Sequence, residues 1–145
     1  MKKLSIQPRL NENQVNFLEE VLGVPFPKQF KEFITIYCDT ATFENTYIRI
    51  NKLYKVSMFC TYRMIFDFIN DLKRGGFEKR IPFAVDDGGW IYCISMNESD
   101  YGKVYLFRLE MPYENENEAF EFIANSFEDF INNLQPEEFS YSRSV

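Results

Sequence analysis

Asp86 and Asp87 stand side by side in IPFAVDDGGWIYCISM (residues 81–96), just before Gly88, Gly89 and the chain's one tryptophan, Trp90. Adjacent carboxylates can hold a divalent cation or share a proton. Trp90 or Tyr92 beside them could stack on a ligand. The competing reading is a hairpin. Asp hydrogen-bonds its own backbone in tight turns, and Asp-Gly suits the positive-φ positions of a type I′ turn, with a second glycine tolerating a bulge. The surrounding residues favour the turn. A calcium loop would need a D-x-D-x-D-G run and a glutamate at its twelfth position, and D-D-G-G-W has neither. Gly75-Gly76 and Gly88-Gly89 do not fit the phosphate loops G-x-x-x-x-G-K-[ST] or G-x-G-x-x-G. No catalytic, metal-binding or cofactor-binding residue is assigned, and no cofactor is expected.

The remaining composition narrows the chemistry further. The chain has no histidine, which removes the usual general base, the partner of a Ser or Cys nucleophile and the commonest transition-metal ligand. Cys38, Cys60 and Cys93 are odd in number and scattered, with no C-x-x-C pair, and read as small buried hydrophobes. What stands out instead is contact chemistry. Tyr92, Tyr101, Tyr105 and Tyr113 and the nearby acids Glu98, Asp100, Glu114, Glu116 and Glu118 fall on or beside the strands and loops of one meander. Tyrosines mixed with carboxylates suit a basic protein surface. The candidate contact set is Asp86, Asp87, Trp90, Tyr92, Glu98, Asp100, Tyr101, Tyr113, Glu114 and Glu116. Trp90 fits either role, core anchor or centre of a partner surface.

Charge points the same way. Net charge is −6, and it is uneven. Residues 1–109 hold 15 Lys and Arg against 13 Asp and Glu, whereas residues 110–145 hold one Arg against nine Asp and Glu. An acidic end argues against nucleic acid, which needs cations to neutralise phosphate, and favours a basic protein partner. A solvated face that keeps the protein soluble accounts for the same charge. No apolar run approaches a membrane span, and MKKLSIQPRLNENQ lacks the apolar stretch of a secretory signal, so a cytoplasmic protein is expected.

These residues must be positioned by one domain, since 145 residues with 18% aromatics suffice for a single core. Helical spacing predicts a helix over 12–22, capped by Asn11 with Gln14 in the capping-box position and ended by Gly23. A second follows in 24–38, with Pro27 in its first turn and Phe26, Phe30, Phe33, Ile34 and Tyr37 as its stripe. Residues 46–56 begin with strand alternation. Residues 61–73 return to the helical period and stop at Gly75-Gly76. Ile81–Asp86, Trp90–Met96 and 103–110 form an antiparallel meander. Residues 112–118 read as a polar turn, and 119–124 fits a short edge strand or an early helical turn. A last helix in 125–134 starts with the Ser126/Asp129 box and ends before Pro136, leaving 136–145 to fray. Clustered strands with helices before and after them predict an α+β fold: a twisted, mainly antiparallel sheet with helices packed on one face.

Three of these segments, in order, resemble the SUKH superfamily, which includes fungal cell-wall-assembly regulators and many bacterial immunity proteins. VPFPKQFKEFITIY (24–37) resembles the family's early helix through Pro25 or Pro27, Phe30, Lys31, Phe33 and Tyr37. IPFAVDDGGWIYCISM resembles its hairpin through Ile81, Phe83, Ala84, Gly88, Gly89 and Tyr92. IANSFEDFINNL (123–134) resembles its closing helix through Ala124, Ser126, Phe127, Phe130 and Leu134. The resemblance spans about residues 10–135. Two departures stand out: CDTATFEN after Tyr37 lacks the family's glycines, and Trp90 stands where relatives often have Asp. The resemblance implies a single SUKH-like domain that binds rather than catalyses, most simply an immunity protein that neutralises a cognate nuclease- or deaminase-type toxin. The alternative is a regulatory or scaffolding module. An enzyme using Asp86 or Asp87 with a metal ranks below both.

Overall fold

Asn11 starts the first helix. Its side chain accepts from the Gln14 N–H at 2.8 Å, and the Gln14 side chain accepts from the Asn11 N–H at 2.9 Å, so two otherwise unpaired donors are satisfied reciprocally. In the computed structural model, which describes residues 9–40, 46–49, 53–108 and 116–136, α1 runs Glu12–Leu22. It ends at Gly23, whose φ of +99° favours glycine and whose N–H reaches the Glu19 carbonyl. Val15, Leu18 and Leu22 form its buried stripe. Helix α2 (Lys28–Tyr37) buries Phe30 and Ile34. Pro27 takes the extended N-cap position, one residue earlier than predicted.

Residues 46–56 form two strands rather than one, β1 (Thr46–Arg49) and β2 (Leu53–Lys55), paired antiparallel. The alternation that predicted a strand gives way in the sequence to the polar pair Asn51-Lys52, which lies outside the described residues. The two-residue strand β3 (Met58–Phe59) precedes α3 (Tyr62–Arg74), which Thr61 caps by accepting from the Met64 N–H at 3.0 Å. Strands β4 (Arg80–Val85), β5 (Ile91–Ser95), β6 (Val104–Phe107) and β7 (Phe120–Ala124) follow, with the short α4 (Glu116–Ala119) just before β7. The ambiguous segment 119–124 is therefore an edge strand: the larger sheet is antiparallel in the order β3-β4-β5-β6-β7.

Helix α5 is shorter than predicted, Phe127–Asn132, and Leu134–Pro136 forms β8, which pairs with β1. Ser126 caps α5 by accepting from the Asp129 N–H at 3.0 Å. Pro136 thus closes a strand instead of ending a helix, and the rest of the expected frayed tail lies outside the described residues. The smaller sheet has the order β2-β1-β8.

Pairing sorts the side chains of the larger sheet onto two faces. Pro82 lacks an N–H, and the β4–β5 register slips between Pro82 and Ala84, leaving Phe83 as the extra residue of a bulge. The Phe83 ring turns to the face it shares with Tyr92. There it meets Phe30 of α2 at 6.1 Å and Phe127 and Phe130 of α5 at 5.1 Å. This is the aromatic centre of the core, and helices cover this face as predicted. The far face carries Arg80, Cys93, Ser95, Tyr105, Phe107, Phe120 and Phe122, by the pairings Arg80↔Ser95, Cys93↔Tyr105↔Phe122 and Phe107↔Phe120. Phe77, from the loop after α3, packs there on Phe107 and Phe120.

The β4–β5 turn differs from the type I′ prediction. Asp86 and Trp90 close a three-residue loop, with Asp86 N–H donating to the Trp90 carbonyl at 3.0 Å, and of the two glycines only Gly89 has a positive φ, +92°. A left-handed glycine at the end of a three-residue loop is the G1-bulge arrangement. Gly89→Ala is expected to cost about 1 kcal/mol, the penalty of a side chain in that region. Gly88→Ala, whose Cβ would meet only Asp86 Oδ1 at 3.7 Å, is expected to stay within about 0.5 kcal/mol. Urea denaturation of both variants checks this, and equal losses would sink the assigned turn.

Candidate functional site

The two aspartates are occupied by the hairpin. Asp86 Oδ1 accepts from the Gly88 and Trp90 N–H groups at 2.9 and 2.8 Å, as a turn aspartate does. Asp87 accepts from the Ser57 hydroxyl at 2.5 Å and pairs with Lys55 Nζ at 3.2 Å. The Ser57 hydrogen bond, then Lys55, holds its carboxyl below the usual carboxylate range. Asp87 thus ties the hairpin tip to the segment around β2 while remaining exposed. Trp90 is half-buried and packs against the core.

Tyr92 was expected among the contact residues and has no surface to offer. It is 0% exposed, its hydroxyl donates to the Lys55 carbonyl at 2.7 Å, and burial raises its pKa. Its place in β5 opposite Ala84 puts it on the helix-covered face. Tyr113 and Glu114 lie outside the described residues. Glu116 is the first residue of α4.

The remaining candidates gather at the other end of β5, about 17 Å of strand away from the aspartate turn at some 3.4 Å per residue. Glu98–Asp100 form a single 3-10 turn after β5. Glu98 is exposed, and Tyr101 is 60% exposed. Asp100 turns inward. Its carboxylate accepts from the Ser95 hydroxyl, accepts from the Tyr105 hydroxyl at 2.7 Å, and lies 4.0 Å from the Arg80 guanidinium. Burial opposes its ionisation, but the Ser95 and Tyr105 hydrogen bonds and the Arg80 charge outweigh it, leaving the pKa lowered. The Tyr105 hydroxyl is pushed up to about 12 by burial and by its bond to Asp100.

Arg80 is the floor of this arrangement. It is only 6% exposed, with its guanidinium carbon 3.9 Å from the Phe120 ring centroid and 5.2 Å from that of Tyr105. Stacking on rings is a guanidinium's usual way of entering an apolar surface. Beside it the Cys93 thiol is driven up to about 12 by burial, against the opposing pull of Arg80. Above this floor is a cavity of about 670 Å³ between residues 76–80 and the loop 97–100, with Tyr105 and Phe120 at its base. The two loops are stitched together. Met96 N–H donates to the Lys79 carbonyl at 2.8 Å, and Asn97 Nδ2 donates to the Glu78 carbonyl at 3.1 Å. Lys79 holds a φ of +60° to make this turn. Phe122, 42% exposed on edge strand β7, continues the aromatic surface 6.0 Å from Tyr105, with Lys103 over its outer side.

Sequence reasoning missed Arg80, Phe122 and the cavity. One signal was present: Arg80 heads the run RIPFAV, all of whose residues are buried, and a charge at the head of such a run needs a partner inside. The acidic end is also used internally in part, since Glu121 accepts from the Tyr54 hydroxyl and pairs with Arg108. Among the described residues no group of three or more Cys, Asp and Glu could hold a metal ion, and no helix is long and apolar enough to cross a membrane.

Fold and cleft together define a single α+β domain, one sheet face covered by helices and the other carrying a polar cavity with Tyr105 and Phe120 in its lining. The chain belongs to the SMI1 / KNR4 family (SUKH-1), whose pattern matches residues 9–133. This agrees with the resemblance drawn from the three motifs and with the α+β fold. A search of curated proteins returned no significant match.

Proposed function

We propose that this protein is a non-catalytic binding domain that neutralises a cognate toxin of the nuclease or deaminase type by direct contact, and that it does so in the cytoplasm. The observation that carries this reading is a pair of large exposed aromatics near the cavity: Tyr101 follows Asp100 of its lining, Phe122 lies 6.0 Å from the Tyr105 ring at its base, and the lining also carries Glu78 and Glu98. Interface hot spots are enriched in such aromatics at the edge of pockets. Membership of a family that contains immunity proteins and cell-wall regulators supports a protein partner. The net charge of −6 suits a basic one.

The test is co-expression and purification with the product of the adjacent gene, together with rescue of cells that express it. A stable complex with rescue is the expected result. Neither complex nor rescue would overturn the reading. Tyr101→Ala and Phe122→Ala are each expected to weaken the complex about 30-fold, the equivalent of some 2 kcal/mol. Association should slow as salt rises. The regulatory alternative has the family's cell-wall regulators in its favour. A gene position away from toxin or secretion genes, and a partner that is not toxic, would decide for it.

A further inference from the structure

We propose that the Asp87-Gly88 link is a site of isoaspartate formation, and that the tie from Asp87 to Ser57 and Lys55 holds this reaction in check.

The sequence singles out the position. Asp-Gly occurs once in the chain, at 87–88, and Asn-Gly does not occur. In such a pair the glycine nitrogen attacks the side-chain carbonyl carbon of the aspartate. A C–N bond forms, the C–OH bond breaks, and the amide proton leaves with the hydroxyl as water, closing a cyclic imide. A side chain on the following residue hinders this approach, and glycine has none. Water then opens the imide. Opening at the side-chain carbonyl restores aspartate. Opening at the main-chain carbonyl leaves isoaspartate, whose backbone runs through the former side chain and is longer by a methylene. Water lost in the first step returns in the second, and neither step needs an oxidant or a reductant.

The fold presents this link to solvent. It sits at the tip of the β4–β5 hairpin, with the Asp87 side chain 65% exposed and Gly88 exposed beside it. Chain neighbours aside, the only atom within 4 Å of a Cβ placed at Gly88 is Asp86 Oδ1. Exposed loop tips are where covalent change concentrates.

Both reacting groups are nevertheless restrained. Asp87 Oδ1 accepts from the Ser57 hydroxyl at 2.5 Å, and Oδ2 pairs with Lys55 Nζ at 3.2 Å, so the carboxyl group is anchored toward the segment after β2. The same contacts favour its ionised form, and a carboxylate is a poorer electrophile than the neutral acid. The nucleophile is held as well. Gly88 N–H donates to Asp86 Oδ1 at 2.9 Å, a bond its nitrogen must give up to attack. Isoaspartate at 87 would lengthen the loop that the Asp86 N–H closes on the Trp90 carbonyl. It would also move the carboxylate away from Ser57 and Lys55, so a single modification detaches the hairpin tip.

The experiment ages the full-length chain in neutral buffer at physiological temperature. Isoaspartate is counted by methyl transfer from S-adenosylmethionine with an isoaspartyl methyltransferase and located by peptide mass mapping. Asp87 is expected to be the leading position, ahead of Asn125 before Ser126. The double variant Lys55→Met/Ser57→Ala should form isoaspartate at 87 at least about threefold faster than wild type, a factor that one ordinary hydrogen bond supplies. Adding Gly88→Ala to the double variant should suppress it. Wild type unfolded in urea should react faster than the native chain, a comparison that holds even if the double variant does not fold. An earlier product at another position would overturn the site. Equal rates in wild type and a folded double variant, or in native and unfolded wild type, would overturn the restraint.

Discussion

Phe83→Ala is expected to lower the unfolding free energy by about 4 kcal/mol, within the range measured for removing a fully buried phenylalanine. Phe83 is 0% exposed and its ring contacts Phe30, Phe127, Phe130 and Tyr92, so one deletion opens a hole where two helices meet the sheet. These neighbours belong to three separate elements, α2, α5 and β5, and they cannot all move in to fill it. Domains have total stabilities of only some 5–15 kcal/mol, so the variant should unfold at clearly lower urea. Phe83→Leu keeps most of the volume and should cost only about 1–1.5 kcal/mol. A loss below about 1 kcal/mol for the alanine variant would show that Phe83 is not the centre of the core.

The second large effect belongs to Asp100. Asp100→Ala is expected to cost about 3 kcal/mol, because it removes a charged acceptor from Ser95 and Tyr105 and withdraws the carboxylate facing the buried Arg80. Arg80→Met tests the coupling. With the cation replaced by an apolar chain, Asp100→Ala should cost at least about 1 kcal/mol less than in the wild type, and additive losses would refute the pairing. The pH dependence has a definite sign. The folded carboxyl has a lowered pKa, so its stabilising contribution is complete above the unfolded value near 3.9 and is lost as pH falls through the lower folded value. The deficit of Asp100→Ala relative to wild type should therefore shrink below about pH 4. A deficit that grows on acidification would contradict the lowered pKa.

Local signals were legible in the sequence. Asn11 with Gln14 and Ser126 with Asp129 mark helix starts by hydrogen bonds within four residues, whereas helical spacing alone counts the Thr61 cap as part of its helix. The meander was legible because its runs are separated by turn residues. Long-range pairing was not. Nothing in LQP identifies a strand, because β8 exists only through its partner β1. Tyr92 shows how composition misleads: a tyrosine in a strand buried on both faces has the composition of a contact residue and the position of a core one. Asp86, Asp87 and Trp90 fall at one end of β5 and Glu98, Asp100 and Tyr101 at the other, a distance invisible to a reading that treats 86–101 as one neighbourhood. Arg80 and Asp100 are twenty positions apart in the chain, and only the β4–β5 register brings them together.

The β1–β8 pairing has a consequence for the order of assembly. Thr46 and Pro136 are partners 90 positions apart in the chain, and closing so long a loop costs entropy that no local contact repays in advance. The meander, built from neighbouring runs, meets no such delay. The β1–β2 pair joins neighbouring segments, so the loop-closure cost falls on β8 alone, and β8 is expected to be the last strand added to the smaller sheet.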